Sequence, residues 1–127
     1  MTGFIIFAHG SRIESANQAV RDVAAQMAAS GGHTVEPAFL ELGQPDLAGA
    51  VQRLTARGVT HVIVIPYFLT LGTHLQRDLP RLVQAAARSC GSDIQLEVTP
   101  PLDGHPALLQ ALLDRASHAL PAERHSR

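Results

Sequence analysis

The 127-residue chain has no lysine and no tryptophan, a single tyrosine, four phenylalanines and one cysteine. Each scarcity removes a class of function. With a net charge of −1 and ten basic residues, all arginine and scattered, there is no basic stripe of the kind that binds nucleic acid. The aromatics are too few for a platform on which single-stranded bases stack. Cys90 by itself closes no intrachain disulfide and builds no thiolate cage for a metal. No apolar run approaches the ~20 residues that span a bilayer. The run Phe4 to Ala8 lacks a basic flank and is too short for a secretory signal. The expectation is a cytoplasmic protein without membrane or nucleic-acid partners. Neither a Walker A loop nor a Gly-x-Ser-x-Gly elbow occurs, so neither a P-loop ATP site nor that serine nucleophile is expected.

What is present is a chain 46% hydrophobic and 17% charged, which predicts one compact domain over residues 1–120 and a polar tail over 121–127. Phe4 to Ala8 and His61 to Ile65 are apolar throughout, as strands covered on both faces are. Val35 to Leu40 contains Pro37, which removes a ladder donor and places it at a sheet edge. Ile94 to Val98 alternates like a half-exposed edge strand. Helical stripes lie between them: Val20, Val23, Ala24 and Met27; then Leu47, Val51 and Leu54; then Leu79, Leu82, Val83 and Ala86. A last helix opens at Gly104-His105-Pro106 and carries Leu108, Leu109, Leu112, Leu113 and Ala116. Capping boxes are expected at Ser15 to Gln18 and Thr73 to Gln76, Pro45 at a first helical position, and a kink or restart near Asp78 where Pro80 interrupts the third helix.

Four alternations of strand and helix predict an α/β fold. Its parallel sheet has order 2-1-3-4, helices on both faces and right-handed crossovers. Ligands in such a sheet bind where the winding reverses, outside the carboxyl ends of strands one and three. His9 follows strand one, Glu41 follows strand two, and His74 follows strand three in the first turn of a helix. There the helix dipole favours the neutral imidazole that binds metal or accepts a proton. Two imidazoles and a carboxylate suit a divalent first-row metal held with open positions. Of the other histidines, only His105, a candidate cap for the last helix, falls at the same end; His33, His61, His118 and His125 do not converge on it.

Phe7-Ala-His-Gly-Ser-Arg12, Ala38-Phe-Leu-Glu41 with Pro45, Pro66-Tyr-Phe-Leu69, Gly72-x-His74-x-x-x-Asp78-x-Pro80 and Gly104-x-Pro106 together resemble the small sirohydrochlorin chelatases. These are the short CbiX and SirB-like members of the class II chelatases, and the likeness runs from about residue 3 to residue 118. It implies a chelatase lobe that inserts Co²⁺ or Fe²⁺ into sirohydrochlorin, for cobalamin or sirohaem, without ATP and without an iron–sulfur cluster. It further implies His9 and His74 as metal ligands and proton acceptors, and Glu41 as an additional ligand or base. Ser11, Arg12, Phe68 and Gly72 become the expected tetrapyrrole-binding residues, with Arg77 a further candidate for the substrate's carboxylates. The short members match one lobe of two-lobed relatives, which implies a homodimer. Histidine phosphatases place Arg before the His-Gly pair where this chain has Ala8. Iron oxygenases with two histidines and a carboxylate use β scaffolds. The remaining alternative is a non-catalytic carrier of divalent metal or tetrapyrrole.

Overall fold

The computed structural model describes residues 1–91 and 93–121, so the expected tail beyond Pro121, with His125, lies outside the described residues. Its elements alternate strictly: β1 (Thr2–Ala8), α1 (Glu14–Gly31), β2 (Val35–Phe39), α2 (Leu47–Ala56), β3 (His61–Pro66), α3 (Thr73–Ser89), β4 (Gln95–Val98) and α4 (Pro106–Ala119). All neighbouring strands pair in parallel, in the order β2-β1-β3-β4. Pro37 sits on the edge strand β2, where a missing N–H costs no ladder bond.

The apolar run of β1 is buried on both sides, whereas β3 alternates: Val62 and Val64 are buried and Ile63 and Ile65 are only partly covered, so the expectation of a β3 covered on both faces is corrected. Ile5, Phe7, Val62 and Val64 meet Val51 and Leu54 of α2 and Leu79, Val83 and Ala86 of α3. On the opposite face Ile6, Ala8 and Phe39 meet Val20 and Ala24 of α1. Leu54 has no exposed surface; burying such a side chain contributes about 1.5–3 kcal/mol. The fourth helix is different. No residue of α4 is buried, and Leu109, Leu112 and Leu113 face solvent.

Three cap expectations are corrected, and of the kink or restart expected near Asp78 the restart is absent. Helix α1 starts at Glu14 with Ile13 as its cap and no side-chain bond to the cap. The hydroxyl oxygen of Ser11 accepts from the Ile13 N–H and brings the chain into the helix before Ser15. Helix α3 is capped by the extended backbone of Gly72, whose carbonyl accepts from Gln76 N–H; Thr73 is already helical and its hydroxyl lies one residue too late to cap. In α2 the cap is Asp46, whose carboxylate accepts from Gly49 N–H, and Pro45 stands before the cap. Helix α3 runs through Pro80 without a restart.

Candidate functional site

Beyond Ala8 and Phe39 the β1–β2 ladder extends for two more bonds, Leu40 N–H to Ala8 C=O at 2.9 Å and Glu41 N–H to His9 C=O at 3.0 Å. His9 and Glu41 therefore leave the sheet side by side. Gly10 turns the chain away immediately afterwards at φ 94°, and a Cβ there would lie 1.7 Å from the Glu41 carbonyl oxygen. Only glycine permits that approach.

The His9 Nδ1 lies 3.2 Å from the Gly10 carbonyl oxygen. A carbonyl only accepts, so Nδ1 carries the proton and Nε2 keeps the lone pair of the neutral ring. Nε2 is 3.5 Å from Glu41 Oε1, and both side chains are more than half exposed. Two donor atoms each ~2.1 Å from one ion, set at roughly a right angle, stand ~3 Å apart. The pair thus approaches the spacing of adjacent ligands of a single divalent ion.

His74 occupies the first turn of α3, as its position in the sequence requires. Its Nδ1 is 3.0 Å from Arg77 Nη2. A guanidinium only donates, so here Nδ1 is the acceptor and the proton of the neutral ring sits on Nε2. The two histidines thus present opposite tautomers. Both line one open cavity of about 520 Å³, together with Leu40, Phe68, Gly72, Leu75, Asp78 and Leu82. Among the described residues no three His, Cys, Asp or Glu side chains are close enough to form a ready metal cage. The fold joins His9 to Glu41 and sets His74 on the lining of the same cavity without closing the trio.

Phe68 and Gly72 border the cavity, Phe68 packing edge-on against Phe7 with ring centroids 6.3 Å apart. The β3–α3 loop is held by Leu102 N–H to Phe68 C=O at 3.0 Å and Asp103 N–H to Leu69 C=O at 2.8 Å. Ser11 and Arg12 lie on the β1–α1 loop and do not border this cavity. The Ser11 N–H is taken by the Asn17 side chain at 2.9 Å, so this backbone donor is not free for a ligand. His105 caps α4, its Nδ1 accepting from Ala107 N–H at 3.0 Å. His61 pairs with Glu97 at the far end of the sheet, and His33 stacks edge-on against Phe4. A smaller cleft of about 230 Å³ runs beside α2 and α3, lined by Phe7, Phe39, Leu47 and Ala86. Its one carboxylate, Asp46, is engaged in capping α2.

Sequence reasoning missed Asn17, which is 2% exposed and the one buried polar side chain among the described residues. A signal was present: residues 17, 20, 24 and 27 share one helical face, so a polar side chain stands where the apolar stripe begins.

A family model named CbiX matches residues 3–119. The chain is 35% identical over 119 residues to the chloroplastic sirohydrochlorin ferrochelatase of Arabidopsis thaliana, covering 93% of this chain and 52% of that protein. It is 30% identical to the sirohydrochlorin cobaltochelatase of Saccharolobus solfataricus, over 92% of this chain and 94% of that one. Among solved structures, a CbiX protein of Marinobacter aquaeolei assigned to cobalamin biosynthesis superposes with a TM-score of 0.81 at 26% identity, covering 93% and 96% of the two chains. The sirohydrochlorin chelatase SirB from Bacillus subtilis subspecies spizizenii, in complex with cobalt, shares the fold with a TM-score of 0.83 at 24% identity, over 93% of this chain and 50% of that one. The chain therefore spans about half the length of the Arabidopsis relative and of SirB.

Proposed function

The chain belongs to the CbiX family, and from that premise we propose that it is a chelatase inserting Co²⁺ or Fe²⁺ into sirohydrochlorin, without ATP and without an iron–sulfur cluster. The observation that carries the proposal is the placement of His9, paired with Glu41, and His74 on one cavity beyond the carboxyl ends of the central strands. Family relatives named for the iron and for the cobalt reaction bracket the metal.

The reaction exchanges a divalent ion for two pyrrole N–H protons, so the site must hold the ion loosely and accept protons as it leaves. His9 Nε2 and Glu41 form the ready half of the metal site, since the Nδ1 proton of His9 is engaged with the Gly10 carbonyl. His74 completes the site from across the cavity as a further ligand or as proton acceptor. It reaches that state when Arg77 releases its Nδ1, and the substrate's carboxylates are the natural competing partners for that guanidinium. With few protein ligands and open positions, the ion passes readily to four macrocycle nitrogens. Phe68 and Gly72 are assigned to the tetrapyrrole's seat, with Ser11 and Arg12 at its outer edge.

Residues 1–120 are read as a single chelatase lobe and the working unit as a homodimer. Its support is the match to half of each of two longer relatives, together with the apolar face of α4 that no other element covers among the described residues. A closed two-fold pair brings a second lobe over the open cavity. No helix among the described residues is long and apolar enough to cross a membrane. A cytoplasmic location is proposed separately, as part of the same reading. The test is cobalt or iron insertion into sirohydrochlorin, followed by visible absorption against the uncatalysed rate. A carrier would bind metal or tetrapyrrole without accelerating it.

A further inference from the structure

Where the β1–β2 ladder ends, the two loops that carry His9 and Glu41 diverge, and one buried side chain spans the gap. The Asn17 Oδ1 accepts from Ser11 N–H at 2.9 Å, and its Nδ2 donates to the carbonyl oxygens of Ser11 at 2.8 Å and of Leu42 at 2.9 Å. One amide thus grips both main-chain groups of the residue two beyond His9 and the carbonyl next after Glu41. Leu42 holds its carbonyl there from the left-handed region, at φ 58°. An amide carries an acceptor oxygen and two N–H donors, which matches the one donor and two acceptors at this point, and every buried side-chain N and O among the described residues has a partner. Arg21, four residues on, adds a weaker tie to the same β2–α2 loop through the Gln44 carbonyl at 3.3 Å, and its guanidinium lies over the Phe39 ring.

We propose that Asn17 is a positioning residue for metal capture: its side-chain amide brackets the β1–α1 and β2–α2 loops and so sets the gap between His9 and Glu41. The inference rests on the chelatase reading for its functional consequence, and on geometry alone for the bracket. Asn17→Asp keeps the acceptor for Ser11 N–H but sets its other carboxylate oxygen against two carbonyl oxygens. Asn17→Ala removes all three bonds.

The test compares both variants with the parent protein, scored per folded molecule by circular dichroism. Without tetrapyrrole, Co²⁺ affinity is expected to fall about 10–100-fold, the range for groups that hold metal ligands in place. The insertion kcat is expected to fall with it, while KM for sirohydrochlorin changes less. A purely structural role lowers the melting temperature and leaves Co²⁺ affinity per folded molecule intact; that result, in either variant, overturns the proposal. Should the parent bind no Co²⁺ and insert none, the chelatase reading fails, and the bracket is judged by the imidazole resonances of His9 in the metal-free protein. The bracket predicts that Asn17→Asp shifts them while those of His61 and His105 stay; unmoved His9 resonances overturn it. If neither variant folds, Zn²⁺ titration of the parent decides: the Asn17 side-chain amide resonances are expected to move together with those of His9, and a shift at His9 alone contradicts the proposal.

Discussion

At the scale of single residues, the candidate site is made by side chains whose hydrogen bonds select one tautomer of each neutral imidazole. The His9 Nδ1 faces a carbonyl and the His74 Nδ1 faces a guanidinium, so in their neutral forms the two rings leave opposite nitrogens free. Gly10 makes the first of these arrangements possible because any Cβ would collide with Glu41's backbone. Gly10→Ala should therefore lower unfolding free energy by about 2 kcal/mol or more and reduce Co²⁺ affinity, measured by urea denaturation and metal titration. A variant of parental stability would show that the loops separate freely. The convergence of His9, Glu41 and His74 at one end of the sheet was legible in the sequence because His9 and Glu41 lie just beyond apolar strands and His74 opens the helix after another, and parallel topology sends all such positions to one end. The burial of Asn17 was signalled by its place on the α1 stripe, but its partners were not, because they are main-chain groups 6 and 25 residues away and sequence patterns do not reveal backbone acceptors.

At the scale of elements, stripes and periods decided more than caps did. Every strand lies within two residues of its apolar run, and every helix contains its expected apolar stripe while extending beyond it. The caps were misread because serine and threonine bond equally well to the turn before a helix as to the helix itself, and Ser11 and Gly72 took over the entries to α1 and α3. At the start of α1, the carboxyl of Glu14 is held below its ordinary range, chiefly by its hydrogen bond from Arg21. A lowered folded pKa stabilises above the unfolded pKa, and that gain is lost as pH falls through the folded value. Glu14→Gln should thus be less stable than the parent at neutral pH, with the difference vanishing on acidification below the carboxylate range. Chemical denaturation across that interval measures it, and a difference that persists in acid contradicts the assignment.

At the scale of the molecule, the departure from expectation is α4. Its leucines are spaced as a core-facing stripe is, yet none is buried within the chain. A sequence encodes apolar spacing without saying which surface will cover it, so the stripe was legible and its partner was not. If a second copy covers it, Leu112, 68% exposed in the single chain, bears on assembly more than on folding. Leu112→Glu should leave the stability of the isolated chain within about 0.5 kcal/mol, while light scattering shows the parent as a dimer and the variant shifted towards monomer. A parent that is monomeric at assay concentration would remove the two-lobe reading and leave the cavity open on one side.

The central claim is that His9 with Glu41, and His74 across the same cavity, move a divalent ion into a tetrapyrrole. The most direct measurement follows the visible spectrum of sirohydrochlorin with Co²⁺ in the presence of the parent protein and of His74→Ala, with the uncatalysed rate subtracted. The account predicts clear acceleration by the parent and a loss of about 100-fold or more in the variant, with the circular dichroism spectrum unchanged. A parent no faster than the free reaction, or a folded variant as fast as the parent, would contradict it.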